Sequence, residues 1–499
     1  MGFLDFFSRK NNGDHESTRH PRRTARPRAA RSFLSGDTDN LFANFGGSSL
    51  TADGELFASL EKMRARSRKL CNDSDFARKY LEVVKANVVG HSGIRLSPQS
   101  RRNPGGELDA EDNRVLLDGW KRWGHSSNCT VTRSMGWLEV QSLFVETVAR
   151  DGECLVRIVS GFDNEFGIAL QVLEGDALDV QLNRELKGGN YISLGVEKNS
   201  WGEPVAYYLR SKSRTANSYE FTGGNYERVP ASEIVHGFRV QRPGQTRGVP
   251  WLNTAIRSLK MLDGWLEAEL TGARIAASKM GFLEPESTSD SYVGDDIDPD
   301  GTIISEVEPG VIEQLPPGMK FKEFDPKYPN SKVGDFVKVT LRSAAAGLGI
   351  SYHSLANDLE SVNYSSLRAG TLEEREAWKS LQRWLRDTLC DRVYREWLKQ
   401  SLLRDAFARP LPASKFDKFA EVEWIPRGWT WVDPLKDQKA AELGISLGLT
   451  TRTELAASQG RDIKDIFEQL SGENLLSESF GISVDGSQKA DDKSEEKPD

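Results

Sequence analysis

Histidine, cysteine and serine are among the residue types in this chain that could support catalysis or metal binding. The six histidines are scattered at His15, His20, His91, His125, His236 and His353. None of their spacings is typical of a zinc site, and His236 lies inside an apolar run, which predicts a buried structural histidine. Four widely spaced cysteines without a CxxC pair predict neither a zinc ribbon nor a disulfide framework, and they favour a reducing compartment.

Residues 444–448 have the Gly-x-Ser-x-Gly pattern of a hydrolase nucleophile. That mechanism requires a strand, a sharp turn and a helix, whereas the residues before Ser446 have a helical pattern, so we do not expect catalysis there. A phosphate-binding P-loop requires the dipeptide Gly-Lys, which does not occur in the chain. We therefore predict no catalytic residues, no cofactor and no enzymatic activity.

Residues 296–301 resemble the first half of a calcium-binding loop, with the sequence Asp-Ile-Asp-Pro-Asp-Gly. The twelfth position of such a loop holds a bidentate glutamate, but here it is Val307. We interpret the segment as an acidic surface turn and predict no metal site, with calcium binding as the alternative.

The charge balance is mildly acidic, with 74 acidic and 66 basic residues and a net charge of −8. This argues against a broad basic face that grips nucleic acid. The exception is residues 1–45, where six arginines cluster: Arg19, Arg22, Arg23, Arg26, Arg28 and Arg31. We predict a flexible basic arm, which contacts nucleic acid or an acidic partner or is a solvated tail. Neither a secretory signal nor a membrane-spanning helix is expected.

The positions of the apolar residues predict an α+β fold. A period near 3.6 indicates helices at 55–90, 111–123 and 134–149, and a period of two indicates strands at 154–159, 168–173, 195–197, 205–209 and 234–238. A block of strands between blocks of helices favours α+β over a doubly wound sheet.

A long apolar stripe follows Pro250 and predicts a helix over 251–283. At 1.5 Å per residue a helix of this kind is a rod of roughly 40 Å, which needs partners along its length to bury the stripe. The remaining predicted segments are a proline-rich insertion at 284–330, a helix at 331–349, a loop at 350–364, a helix at 365–403, short helices at 434–447 and 452–471, and a disordered tail at 476–499.

Four stretches resemble the lambda-type portal proteins of tailed phages, which are head–tail connectors. They are residues 151–157 with 173–176, residues 236–251, residues 341–352 with 363–369, and residues 429–437 with 448–450. The second stretch, His-Gly-Phe-Arg-Val-Gln-Arg-Pro-Gly-Gln-Thr-Arg-Gly-Val-Pro-Trp, is long and highly specific. None of the four is a catalytic signature, which fits a structural role.

The resemblance implies a ring of about twelve identical subunits at one vertex of the capsid. Double-stranded DNA would pass through its central channel without sequence specificity during packaging and ejection. The implied partners are the terminase large subunit, the major capsid or scaffolding protein, and a neck or tail adaptor protein, with no membrane. The implied location is the virion, and the host cytoplasm during assembly.

The resemblance also implies a division of the chain into named parts. These are a wing at 46–250, stem helices at 251–283 and 331–349, a small β-containing clip at 284–330, a tunnel loop at 350–364, a long wing helix with its connection at 365–428, and a helical crown at 429–475.

Six residues are predicted to face DNA in the channel. Lys332, Lys338 and Arg342 lie on the second stem helix, and Asn357, Asp358 and Glu360 lie in the tunnel loop. The alternatives are ion pairing with Glu267 or Glu269 of a neighbouring subunit for the cations, and ordinary solvation for the loop residues. Two other functions remain open: a non-portal nucleic-acid-binding assembly protein that uses the arginine-rich arm, and a hydrolase whose site is assembled from distant residues.

Overall fold

The computed structural model describes residues 49–210, 225–277, 281–285, 319–323, 332–360, 363–431 and 433–480. The predicted basic arm with its six arginines, the calcium-like segment 296–301 and most of the predicted clip lie outside these residues.

The first part of the chain is helical, as its periodicity predicts. Its elements are α1 (Ala52–Asp73), α2 (Asp75–Val88), β1 (Arg95–Pro98), α3 (Ala110–Trp123), α4 (Ser126–Cys129) and α5 (Trp137–Asp151). The run predicted at 55–90 divides at Ser74, whose backbone is extended and ends α1. Thr51 begins α1, because its hydroxyl accepts a hydrogen bond from the amide of Gly54.

Two antiparallel sheets follow, in the block where strands were predicted. The strands are β2 (Glu153–Ser160), β3 (Ile168–Glu174), β4 (Arg184–Glu185), β5 (Tyr191–Ser193), β6 (Val196–Lys198), β7 (Pro204–Arg210), β8 (Tyr226–Pro230) and β9 (Ile234–Phe238). One sheet has the order β3-β2-β9, and the other is a meander from β4 to β8. Leu155 of β2 lies opposite His236 of β9, so residues of two stretches that resemble portal proteins are neighbours across strands.

The paired helices differ from the prediction at their ends. A short 3-10 turn at Trp251–Thr254 leads into α6 (Ile256–Ala277), and α7 is Val333–Leu348. Between them lie two antiparallel strands, β10 (Gly281–Pro285) and β11 (Met319–Glu323). The helix predicted to reach residue 283 is therefore wrong at 281–283, where the chain pairs with a second strand.

The apolar stripe of α6 is partly covered within the chain itself. Its first two turns are buried in one core with the turn that precedes α6 and with α7, through Leu252, Ala255, Leu259, Leu262, Leu341, Ala344 and Ala345. The expectation that this stripe needs partners along its length is therefore met within the chain over the first two turns. Leu270, farther along α6, remains exposed.

The segment predicted as a loop at 350–364 contains a short helix, α8 (Tyr352–Ala356). Ser351 begins it by accepting a hydrogen bond from the amide of Ser354, and Asn357 ends it in the left-handed conformation at φ 54°. The helix predicted at 365–403 is α9 (Tyr364–Leu385), a π-helical turn at Arg386–Cys390, and α10 (Asp391–Leu403).

The last described part is more helical than predicted. It comprises α11 (Phe416–Phe419), β12 (Val422–Ile425), α12 (Pro434–Ser446), α13 (Arg452–Ser458) and α14 (Ile463–Phe480). Strand β12 pairs with β1. The helix predicted at 452–471 divides near Gly460, whose φ is +73°. The tail predicted to be disordered from 476 is helical as far as 480.

Tryptophan rings hold the helical layer together. The ring centroid of Trp120 on α3 lies 4.8 Å from Trp123, 5.4 Å from Trp137 on α5, and 5.1 Å from Trp397 on α10. Rings at these distances bury large apolar areas and pack in defined orientations. This core connects elements that are nearly 300 residues apart in the sequence.

A backbone contact fixes the entry to α6. The segment 239–250 crosses the end of α5, and a Cβ placed on Gly248 would lie 1.9 Å from the carbonyl oxygen of Gly152. Gly152 has a φ of +93°, which glycine adopts without strain. No side chain fits between the two backbones.

Candidate functional site

The junction between α7 and α8 brings together four of the six residues predicted to face DNA. The Lys338 ammonium lies 3.7 Å from a carboxylate oxygen of Asp358 and 3.7 Å from one of Glu360. One turn farther along α7, the Arg342 guanidinium lies over the Tyr352 ring, 5.4 Å from its centroid. These are the contacts that the shared face of Lys338 and Arg342 makes.

The other two predicted residues lie at the edges of this junction. Lys332 immediately precedes α7, and Asn357 ends α8. Within the described part of this single chain, the carboxylates beside Lys338 are Asp358 and Glu360. Pairing with Glu267 or Glu269 of a second copy stays a prediction.

Hydrogen bonds at the junction keep Asp358 ionised. The Tyr352 hydroxyl donates to Asp358 at 2.8 Å, and the amide of Glu360 donates to the same carboxyl at 3.0 Å. These bonds lower the pKa of Asp358, that of Tyr352 being the larger cause. Burial and the contact with Asp358 raise the pKa of Tyr352. At this junction the positive charges of Lys338 and Arg342 balance the negative charges of Asp358 and Glu360.

Helix α9 anchors the segment. The Ser354 hydroxyl donates to Glu374 at 2.9 Å, and the amide of Ser351 donates to the same oxygen at 3.3 Å. The Trp378 indole donates to the other oxygen of Glu374 at 3.3 Å. One glutamate thus holds the start of α8 against the long helix.

A second charged group, which the sequence interpretation missed, is buried between α1 and the three-stranded sheet. We define the buried charge cluster as Arg64, Arg68, Asp151, Glu153, Asp176, His236 and Arg247. At its centre, Glu153 accepts hydrogen bonds from Arg64 at 2.5 Å, from Arg247 at 2.5 Å and from the amide of Gly248 at 3.1 Å. Its side chain and that of Arg247 have no exposed surface.

The outer part of the cluster is also paired. Arg64 contacts Asp176 at 2.5 Å, and Arg68 contacts Asp151 at 2.8 Å. Burial alone would raise the pKa of Glu153, but Arg247 and Arg64 hold it well below its usual range. Against the effect of burial, Arg64 and Arg68 also lower the pKa of Asp176, so Glu153 and Asp176 stay ionised beside guanidiniums.

The prediction of a structural histidine at His236 is confirmed by its place in this cluster. Its side chain is 5% exposed, and its Nε2 lies 3.0 Å from Glu153. Burial lowers the pKa of His236, the contact with Glu153 opposes this, and the charges of Arg247 and Arg64 add to the lowering. Five of the seven cluster residues fall in stretches 151–157, 173–176 and 236–251. The signal for them in the sequence is that charged residues occur there in apolar surroundings.

The hydrolase pattern at 444–448 does not form a nucleophile site. Ser446 is the last residue of α12, and its hydroxyl donates to the carbonyl of Leu443 at 2.9 Å. A helix rather than a strand precedes it, so the geometry that exposes a catalytic serine is missing at this position. The four cysteines are buried and unpaired.

The chain matches the family model described as phage portal protein, lambda family, over residues 38–382. It is 34% identical over 434 residues to a probable portal protein of Halomonas phage phiHAP-1, covering 86% of this chain and 83% of that protein. It is 22% identical over 469 residues to portal protein B of Escherichia phage lambda, covering 87% of each. The chain belongs to the lambda family of phage portal proteins.

Membership of the lambda portal family confirms the resemblance stated from the sequence. The function is that of a phage portal protein, a structural component of the virion that connects head and tail. The α+β class is confirmed as well. A non-portal nucleic-acid-binding protein is not favoured.

Among solved structures, the neck of an empty GTA particle aligns with a TM-score of 0.42 at 12% identity, covering 85% of this portal chain and 98% of that chain. A similarity of that size does not by itself establish a common fold. No helix in the described ranges of this portal protein is long and apolar enough to span a bilayer.

Proposed function

We propose that this portal protein forms a closed ring of about twelve copies through which double-stranded DNA passes. The supporting observation is the apolar surface of the paired helices. Met261 and Leu270 on α6 are 66% and 63% exposed, and Phe336 and Val339 on α7 are 49% and 64% exposed. Four large apolar side chains exposed on one pair of helices favour contact with another protein surface.

The positions of these side chains favour neighbours on two sides. Met261 and Leu270 are nine residues apart on α6, which places them about half a turn apart around the helix axis. A ring interface joins two different surfaces of each copy, so each copy needs two patches. A twofold dimer would cover one patch only.

We assign the named parts of a portal to the elements of this chain as follows. The stem is α6 and α7, the clip is the insertion that contains β10 and β11, and the tunnel segment is 350–364 with α8. The wing is 46–250 with the long helix α9–α10 and its connection to 428, and the crown is 429–475. The proposed partners are terminase, the capsid or scaffolding protein and a neck or tail protein, with assembly in the host cytoplasm.

The DNA path in this proposal includes the junction of α7 and α8. Lys332, Lys338, Arg342, Asn357, Asp358 and Glu360 would lie along it. Each uncompensated phosphate contact adds affinity, so a wall of free cations would hold DNA in place. Lys338 and Arg342 beside Asp358 and Glu360 present a charge-matched surface that DNA can slide past. The arginine-rich arm is proposed as an additional nucleic-acid or acidic-partner contact.

Native mass spectrometry and negative-stain imaging of three proteins test the ring. The wild type should give rings of about twelve subunits. Val339→Asp should give a folded protein that no longer forms rings, because Val339 is exposed in the single chain. Leu259→Asp is the matched comparison: Leu259 is completely buried, so the charge should unfold the chain itself.

Circular dichroism separates the two kinds of failure. A wild type that stays monomeric at high concentration would contradict the proposed ring. A Val339→Asp variant that forms normal rings would show that this face is not part of the interface.

A further inference from the structure

The tryptophan-rich turn after β12 contains a pair of arginines on one aromatic ring. The guanidinium carbon of Arg375, on α9, lies 5.8 Å from the Trp429 ring centroid, and that of Arg427 lies 5.4 Å from it. The Trp429 indole donates to the side chain of Asn87 at 3.0 Å, which fixes the ring against the end of α2. All three side chains are partly buried. We call Arg375, Trp429 and Arg427 the Arg–Trp–Arg cluster.

Neutral oxygens are the hydrogen-bond partners of both arginines. Arg375 donates to the carbonyl of Thr430 at 3.2 Å, and its Nε is buried without a hydrogen bond. Arg427 donates to the carbonyls of Gly428, at 3.1 Å, and Ala86, and to the Oδ1 of Asn87 at 3.5 Å. Across the part of the chain that the structure describes, neither guanidinium forms an ion pair with a carboxylate.

Asp437, the carboxylate whose charge acts on Arg375, already has hydrogen-bond partners. Asp437 accepts hydrogen bonds from Arg368 at 2.8 Å and from the amide of Asp433 at 3.2 Å. Burial lowers the pKa of both Arg375 and Arg427. The charge of Asp437 partly opposes this at Arg375, and the charge of Arg375 adds to the lowering at Arg427. The single chain thus carries two partly desolvated cations at a free-energy cost that an anion would remove.

We infer that the Arg–Trp–Arg cluster binds a phosphate group, which the DNA backbone supplies in the assembled portal. The statement that DNA supplies this phosphate rests on the proposed function. Two guanidiniums with unused N–H donors suit the several oxygens of a phosphate. Because the arginines cover the Trp429 ring, the ring leaves no apolar slot for a peptide side chain, so phosphate fits better than an acidic protein segment.

The position of the cluster agrees with a DNA contact. Arg375 follows Glu374, which anchors α8 through Ser351 and Ser354. The cluster is therefore adjacent along α9 to Glu374, which anchors the segment that we place in the channel. Unlike Lys338, its arginines form no ion pair with a carboxylate within the described residues, although the charge of Asp437 acts on Arg375.

The test compares wild type with Arg375→Gln/Arg427→Gln. The control is Lys379→Gln/Arg383→Gln, which removes two exposed cations of the same helix that lie beside Glu376 and Asp387. The first readout is the melting temperature in inorganic phosphate against chloride at equal ionic strength. Phosphate should raise the melting temperature of wild type and control, and it should not raise that of the double variant.

The second readout is DNA binding by assembled rings at several salt concentrations. The slope of log K against log salt should become shallower by about 0.9 for each phosphate contact that the double variant loses. The control should lose less. Native mass spectrometry on the same samples shows whether rings are present, so a failure of ring assembly is distinguished from a failure of the phosphate site.

Three outcomes would overturn the inference. A double variant that responds to phosphate like wild type would show that the anion does not bind at these arginines. Stabilisation by polyglutamate with no effect of phosphate would identify a protein carboxylate as the occupant. A phosphate response with an unchanged DNA salt slope in intact rings would exclude the DNA backbone as the source.

Discussion

The buried charge cluster and the Arg–Trp–Arg cluster both hold arginines partly or fully out of water, but they compensate the positive charge differently. In the first, Arg64, Arg68 and Arg247 are matched by Asp151, Glu153 and Asp176, and the pKa of Arg64 and Arg68 is raised by those carboxylates in spite of burial. In the second, two arginines meet carbonyl oxygens only, and burial lowers the pKa of both. Complete internal matching is typical of a structural group, whereas unmatched charge indicates a partner outside the chain.

The largest effect should come from removing the acid at the centre of the matched cluster. Glu153→Ala leaves Arg64 and Arg247 buried beside each other, so we expect a loss of about 3–5 kcal/mol in the free energy of unfolding. Urea denaturation of the assembled or monomeric protein measures it. The control is Glu165→Ala, which breaks the exposed pair with Arg122 and should cost less than about 1 kcal/mol. Equal losses in the two variants would contradict the assignment.

Acidification should weaken the matched cluster in two stages. The pKa of His236 is lowered from 6.5 by burial, so the unfolded chain binds more protons than the folded one and stability falls as the pH drops below about 6.5. The pKa of Glu153 and that of Asp176 are also lowered, so their contributions are lost as the pH falls from about 4 toward the folded values.

Denaturation midpoints from pH 7.5 to 4 measure this dependence in wild type and His236→Gln. The variant should lose the part of the slope that begins near pH 6.5 and keep the part at lower pH. Groups facing the histidine are Glu153 on β2, Arg64 on α1, Arg247 on the crossing segment and Tyr207 on β7. An identical slope in both proteins would show that the histidine already ionises freely in the folded state.

The smallest effect should come from the unmatched cluster. Arg375→Met leaves no carboxylate without a partner and removes a desolvated charge, so stability in phosphate-free buffer should stay within about 1 kcal/mol of wild type or increase. Arg64→Met is the matched comparison and should cost several kcal/mol, since Glu153 and Asp176 lose a shared partner. A severe loss in Arg375→Met would mean that this arginine is structural after all.

The two clusters also show what the sequence could predict. Periodicity located most helices and strands, because each buries one face and its apolar residues repeat accordingly. The buried charge cluster was not predicted, since its members come from α1, α5, β2, β9 and the segments that follow β3 and β9. A one-dimensional pattern does not state which of them meet. The resemblance located most of its residues without indicating their contacts.

Local chemistry accounts for the remaining differences. The predicted loop at 350–364 lacks an apolar period over its five-residue helix, which depends on Ser351 as a cap and on Glu374 from another helix. The split near Gly460 follows from its left-handed backbone, which a window average does not detect. Among the channel candidates, the spacing of Lys338 and Arg342 predicted a shared face, but the pairing of Lys338 with Asp358 required the fold.

The contact between Gly152 and Gly248 has a mechanical consequence. The two backbones touch without an intervening side chain where the segment that leads into α6 crosses α5. No change of side-chain rotamer can therefore absorb a displacement at this point. Force applied along α6 is therefore transmitted at that crossing from main chain to main chain. Any bending of α6 relative to the sheets must take place farther along the helix.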